Sequence, residues 1–188
     1  MDKRIYFVYF FVVIGIVAFL GTLAIADDAK IKITAEVYIP PCEINGNADL
    51  KVSWGPILLQ KIDGINYAKT TTLDVKCEYF EGEPYISLSG GSGKASGIVD
   101  NILNTEGVNS SVLGIALYQG YNVDSSHPLI IGSNLIGQLP GHEIREGLST
   151  KNTPISTFTF TAVPCKLGNT PLSSGVFSAA VTMNISYL

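Results

Sequence analysis

The chain has 188 residues, 46% of them hydrophobic and 15% charged, with a formal net charge of −4. Arg145 is the one arginine after Arg4 and the lysines are scattered, so no basic cluster exists and nucleic acid is excluded as a partner. Three cysteines stand without a C-x-x-C pair or an accompanying pair of histidines, which excludes a zinc site; no cofactor motif is present.

At the start, Asp2, Lys3 and Arg4 precede the apolar run "IYFVYFFVVIGIVAFL", and Ala24 and Ala26 follow it in Ala-x-Ala spacing. This predicts a secretory signal peptide over residues 1–26, cleaved after Ala26, with an uncleaved membrane anchor as the competing reading. Residues 27–188 then carry 10 lysines and arginines against 15 acids, enough chain for one domain with a sizeable core. An exported chain folds in an oxidising compartment, so one disulfide with one cysteine left over is expected among Cys42, Cys77 and Cys165; spacing alone leaves all three pairings open.

Ala29, Ile31, Ile33, Ala35, Val37 and Ile39 then alternate with Lys30, Lys32, Thr34, Glu36 and Tyr38 until Pro40 and Pro41 stop the run. The period of two predicts a strand. Its eleven residues would span roughly 36 Å at about 3.3 Å each, well beyond the usual five or six residues, so part of it is expected to serve something outside the domain. Further β-rich runs follow: "LKVSW" at 50–54, "TTLDVKCEY" at 71–79, "PYISLSG" at 84–90, "SVLGIALYQ" at 111–119 and "STFTFTAV" at 156–163. Pieces rich in Gly, Pro, Asn and Ser separate them, and no window keeps helical spacing for more than a couple of turns. The pattern predicts an all-β sandwich of immunoglobulin size.

The last run, residues 175–188, places Phe177, Ala179, Val181, Met183, Ile185 and Tyr187 on one face, with Ser178, Ala180, Thr182, Asn184 and Ser186 on the other. It reaches Leu188 with no turn leading to a following strand. The pattern alone leaves open what the last edge of this strand pairs with.

Signs of chemistry are thin. Lys94 in "SGGSGKASG" lacks the spacing and the strand-to-helix setting of a phosphate loop. Pairing Cys165 as nucleophile with His142 as base has no local support, and His127 sits in loop-like sequence, so an enzyme is not expected. Asn109 and Asn184 match the glycosylation sequon, which matters only in a eukaryotic secretory pathway. Trp54, the single tryptophan, reads as core.

Three stretches point to a family. "VYIPPC", "LGIALYQG" and "STFTFTAVP", together with the alternating exported N-terminus and the last strand, resemble the chaperone-usher pilins, and more narrowly the minor adaptor subunits of P-pilus-type tip fibres. The resemblance implies an incomplete Ig-like sandwich lacking its final strand, over residues 38–188, behind an N-terminal donor extension over residues 27–37. It implies that Ala29, Ile31, Ile33, Ala35 and Val37 enter a neighbouring subunit. It implies an acceptor groove along the strand from Gly175 through Phe177, Ala179, Val181, Met183, Ile185 and Tyr187 to Leu188. A periplasmic chaperone would first fill that groove and hold the Leu188 carboxylate. At the outer-membrane usher, the extension of another pilin would replace the chaperone strand, building a cell-surface fimbrium with a tip adhesin. The family disulfide maps to Cys42 and Cys77, leaving Cys165 as a free thiol. Ala35 departs from the glycine common at that donor position. The alternative of another class is a secreted carbohydrate-binding, lectin-like adhesin module.

Overall fold

The computed structural model describes residues 30–89, 100–132, 135–136 and 139–188. The expected signal peptide, Ala29 and Lys94 lie outside the described residues. Contacts divide the chain into a unit ending at Val37 and a compact unit spanning Tyr38–Leu188.

The compact unit is nearly all β. In chain order its strands are β1 (Glu43–Ile44), β2 (Lys69–Lys76), β3 (Pro84–Ser89), β4 (Ile102–Asn104), β5 (Glu106–Gly107), β6 (Leu113–Gln119), β7 (Leu135–Ile136), β8 (Leu139–Pro140), β9 (His142–Glu143), β10 (Ile155–Lys166), β11 (Phe177–Ser178) and β12 (Thr182–Tyr187), with single 3-10 turns at Asn45–Asn47 and Leu59–Lys61. One sheet has the order β1-β2-β10-β6-β4 and the other β12-β3-β9, while β11 pairs with β5 and β7 with β8. Every pairing is antiparallel.

The long strand β10 shows why the five-stranded sheet forms. Phe158, Phe160 and Ala162 are buried in the core beside Leu73, Ile115 and Leu117. The threonines between them turn to the opposite face, as the two-residue period requires. There Thr159 meets Thr72 and Thr161 meets Thr70 in register, their hydroxyls hydrogen-bonded at 2.8 and 2.9 Å. From the second sheet Ile86, Leu88, Ile185 and Tyr187 close on the same core cluster. Burying each large apolar side chain contributes about 1.5–3 kcal/mol, which is what holds the two sheets face to face.

Two predicted strands are not strands here. Residues 50–54 keep the expected alternation, with Val52 and Trp54 half-buried between exposed neighbours, yet they pair with no other segment. Residues 30–39 are likewise outside any sheet, with Ile31, Ile33 and Val37 exposed at 82, 89 and 95%. A strand is defined by its ladder, and an alternating segment with no partner has none to form.

Candidate functional site: an open cleft beside the last strand

The last apolar-alternating run is split between two partners. Phe177 and Ser178 pair with Gly107 and Glu106, whereas residues 182–187 pair with β3. Residues 179–181 bridge these partners without a ladder of their own. The predicted inward positions do face inward: Phe177, Ala179, Val181 and Met183 are half-buried, and Ile185 and Tyr187 are fully buried. Burial therefore fades along the run from Tyr187 back to Phe177, and a cleft of about 740 Å³ lies beside the less buried part.

The cleft has an apolar floor and polar edges. Leu103, Ile115, Leu117 and Ala162 come up from the five-stranded sheet, with Val52 and Trp54 on one wall and residues 179–184 on the other. Asp49 is the one charged residue among those lining it. Trp54 packs against the core from this wall. Its indole nitrogen donates to the Tyr67 carbonyl at 2.7 Å, and its ring centre lies 6.2 Å from that of Phe177.

Hydrogen-bond parity shows which backbone groups face the cleft. Leu188 and Glu83 exchange two hydrogen bonds of 3.0 Å, so along β12 the alternate residues Ser186, Asn184 and Thr182 direct their peptide groups to β3. Ile185, Met183 and Val181 direct theirs to the other edge. At Ile185 that edge is occupied, because the Cys42 N–H donates to the Ile185 carbonyl at 2.7 Å. Cys42 is in turn disulfide-bonded to Cys77, 35 residues on. At Met183 and Val181 no backbone partner occupies the edge among the described residues. The cleft is closed at one end by a covalently anchored segment and open along the rest.

Such an arrangement suits an extended peptide. Exposed backbone donors and acceptors run along one wall, and the floor takes alternate side chains, which is how a sheet edge accepts an added strand.

The other candidate residues are not brought together. Cys165 lies on β10 opposite Gly114, on the face turned away from the core, and His142 lies on β9 opposite Ile86 in the other sheet. Burial pushes the Cys165 thiol up, against weaker opposing hydrogen bonds from the Ala116 and Gly114 backbone. Burial holds His142 below the usual imidazole range, with Asp100 acting in the opposite direction. His127 bonds Asp124 at 2.8 Å, and the Ser126 hydroxyl, followed by His127, holds the Asp124 carboxyl down at about 2. Asn109 is buried, and its amide donates to the Ser173 carbonyl and accepts from the Ser173 N–H, both at 2.8 Å. The sequon at Asn109 therefore encodes a clamp between two loops, a role that sequence reasoning missed because its partner is 64 residues away. Gly175 sits beneath Val108, where a Cβ would collide with the valine methyl.

A sandwich with a closed core at one end and an unpaired strand edge over an apolar cleft at the other defines an incomplete Ig-like fold of the pilin class. Comparison with known proteins agrees. A family model described as "Fimbrial protein" matches residues 31–188, and the chain belongs to that family of structural, non-enzymatic subunits. It is 36% identical to the fimbrial adapter PapF of Escherichia coli over 168 residues, 89% of this chain and 93% of that protein. It is 34% identical to the minor fimbrial protein PrsF of the same organism over the same shares. A solved structure of the P pilus adaptor subunit PapF matches with a TM-score of 0.52 and 31% identity, over 81% of this chain and all of that one. The P pilus rod subunit PapA matches with a TM-score of 0.54 at 18% identity, over 85% of this chain and all of that one, a likeness of fold.

Proposed function

We propose that the protein is a minor fimbrial adaptor subunit that links an adhesin to a pilus tip fibre by exchanging β-strands with its neighbours. Its cleft receives a strand first from a periplasmic chaperone and then, at an outer-membrane usher, from the extension of another pilin. Residues 27–37 are its own donor strand, with Ala29, Ile31, Ile33, Ala35 and Val37 entering a neighbour's cleft. Export through the periplasm to the cell-surface fimbrium follows from that role.

The unpaired edge at Val181 and Met183 over an apolar floor carries this reading. Exposed strand edges and apolar clefts are liabilities that a subunit resolves by pairing. The donor side has matching chemistry, since Ile31, Ile33 and Val37 stand in water with nothing of their own to cover them. Their transfer into a cleft would contribute ~5–9 kcal/mol at about 1.5–3 for each side chain, before ordering costs. Kinship to PapF and PrsF supports the adaptor rank.

The test is expression in a periplasm with and without the cognate chaperone. The subunit alone should aggregate or be degraded, and coexpression should return a soluble one-to-one complex. A stable monomer obtained without chaperone overturns the strand-acceptor reading and favours a closed, lectin-like module.

A further inference from the structure

The corner where β5 meets β11 is built rigidly and yet displays two bare valines. Asn109 spends both ends of its buried amide on Ser173, tying the loop after β5 to the loop before β11. Gly107, at φ +104°, lies so close to the Val176 carbonyl that a Cβ would collide with it, and Gly175 lies under a methyl of the Val108 side chain. No side chain larger than hydrogen fits at Gly107 against that backbone carbonyl, and one at Gly175 would have to displace the Val108 methyl. On this fixed platform Val176 is 87% exposed and Val108 66% exposed. Phe177, the next residue, turns inward to Trp54 at the open end of the cleft.

The cleft's shape decides what arrives there. Cys42 occupies the β12 edge at Ile185, so an inserted strand enters with its leading end toward Ile185 and leaves at the Phe177 end. A donor extension precedes its body in chain order, so the body must emerge at Phe177, and the strand runs opposite to β12. The inward positions Ile31, Ile33, Ala35 and Val37 of an extension like this chain's own are spaced to lie beside Met183, Val181, Ala179 and Phe177 in that direction, with Ala29 at the stop formed by Cys42 beside Ile185. The residue after the extension then comes out next to Val176. In this chain that stretch is Tyr38-Ile39-Pro40-Pro41, with Tyr38 77% and Ile39 40% exposed.

Resting on the strand-acceptor reading above, we infer that Val176 and Val108 form a second docking contact, made with the apolar residues that immediately follow the donor strand in the neighbouring pilin. The contact joins body to body at the mouth of the cleft and adds apolar burial that the strand alone does not supply.

The test uses assembled fimbriae carrying a photocrosslinking phenylalanine analogue in place of Val176, with a second variant carrying it in place of Thr182 on the cleft wall. Peptide mapping after irradiation should place the crosslink from position 176 in the residues just after the neighbour's extension, and the crosslink from position 182 within the extension itself. A crosslink at 182 with none at 176, or one from 176 to another part of the neighbour, overturns the docking contact and leaves the strand reading standing. Loss of both overturns the two together. In parallel, Val176→Ser combined with Val108→Ser should leave chaperone-complex yield unchanged and reduce several-fold the fibre surviving heated detergent. Undiminished fibre survival also overturns the contact.

Discussion

Charge placed at Ile33 and at Val181 should separate the two ends of the strand exchange. Ile33 is 89% exposed in the free subunit, so Ile33→Arg moves no core atom and should change subunit stability by no more than ~0.5 kcal/mol. In a neighbour's cleft the same position faces aliphatic side chains. There the substitution forfeits the isoleucine transfer term and adds a desolvated guanidinium, a loss of at least ~2–3 kcal/mol. At 1.4 kcal/mol per decade that is roughly a 30–150-fold weaker strand insertion. Val181 is half-buried on the wall of this chain's own cleft, in reach of the floor formed by Leu103 and Ile115. An arginine there keeps its charge hydrated only while the cleft is empty, so any incoming strand must bury it unpaired. Val181→Arg should therefore abolish the chaperone complex, whereas Ile33→Arg should give near-normal complex and fail at exchange. The assay is the yield of tagged subunit–chaperone complex from periplasm, followed by the rate at which each purified complex exchanges with a neighbouring subunit. If Ile33→Arg lowers complex yield as much as Val181→Arg does, the N-terminal run belongs to the core and the reasoning fails.

Replacing Cys42 and Cys77 by alanine opens a cross-link between residues 35 apart, worth ~4 kcal/mol in the chain-entropy model, and frees the closed end of the cleft; chaperone-complex yield should collapse, and an unchanged yield would refute the anchoring role. Asn109→Ala removes two buried hydrogen bonds and strands the Ser173 backbone, so thermal unfolding of the chaperone complex should report a loss of about 1–3 kcal/mol from the subunit. His142, held low by burial, binds protons more readily unfolded than folded, so its contribution to stability is present above the ordinary imidazole pKa and is lost as pH falls through the depressed folded value. Denaturation midpoints should drop between neutral and mildly acidic pH, and His142→Gln should flatten that slope. Cys165, with its thiol pushed up by burial, should react slowly with alkylating agents at neutral pH until the protein is unfolded, and Cys165→Ser should assemble normally.

Much of the sandwich was legible because its strands repeat every second residue. The "STFTFTAV" run becomes β10, with its phenylalanines in the core and Thr159 and Thr161 on the opposite face, where they too are buried, and the inward face of the last strand was placed residue by residue. What the pattern cannot display is pairing. Residues 50–54 and 30–39 have strand-like alternation without a ladder, because sequence period reports which side chains seek apolar cover and not whether a partner backbone lies alongside. The short strands β4, β5 and β9, of three, two and two residues, are too brief to carry any period. Closure of the cleft by Cys42 was equally invisible, since it depends on one peptide N–H meeting Ile185 across the fold.

The blind end at Cys42 has a mechanical consequence. A neighbour's strand seated as proposed would be stopped there, and pulling it back along its own length toward Phe177 would load its ladder parallel to β12, in shear. Every backbone bond between the inserted strand and Val181 and Met183 then has to give way at once, whereas a strand peeled sideways would release them one by one. On the proposed reading, the same stop would set how far each extension advances, so the axial spacing of such a fibre would be written into the single subunit before any neighbour arrives.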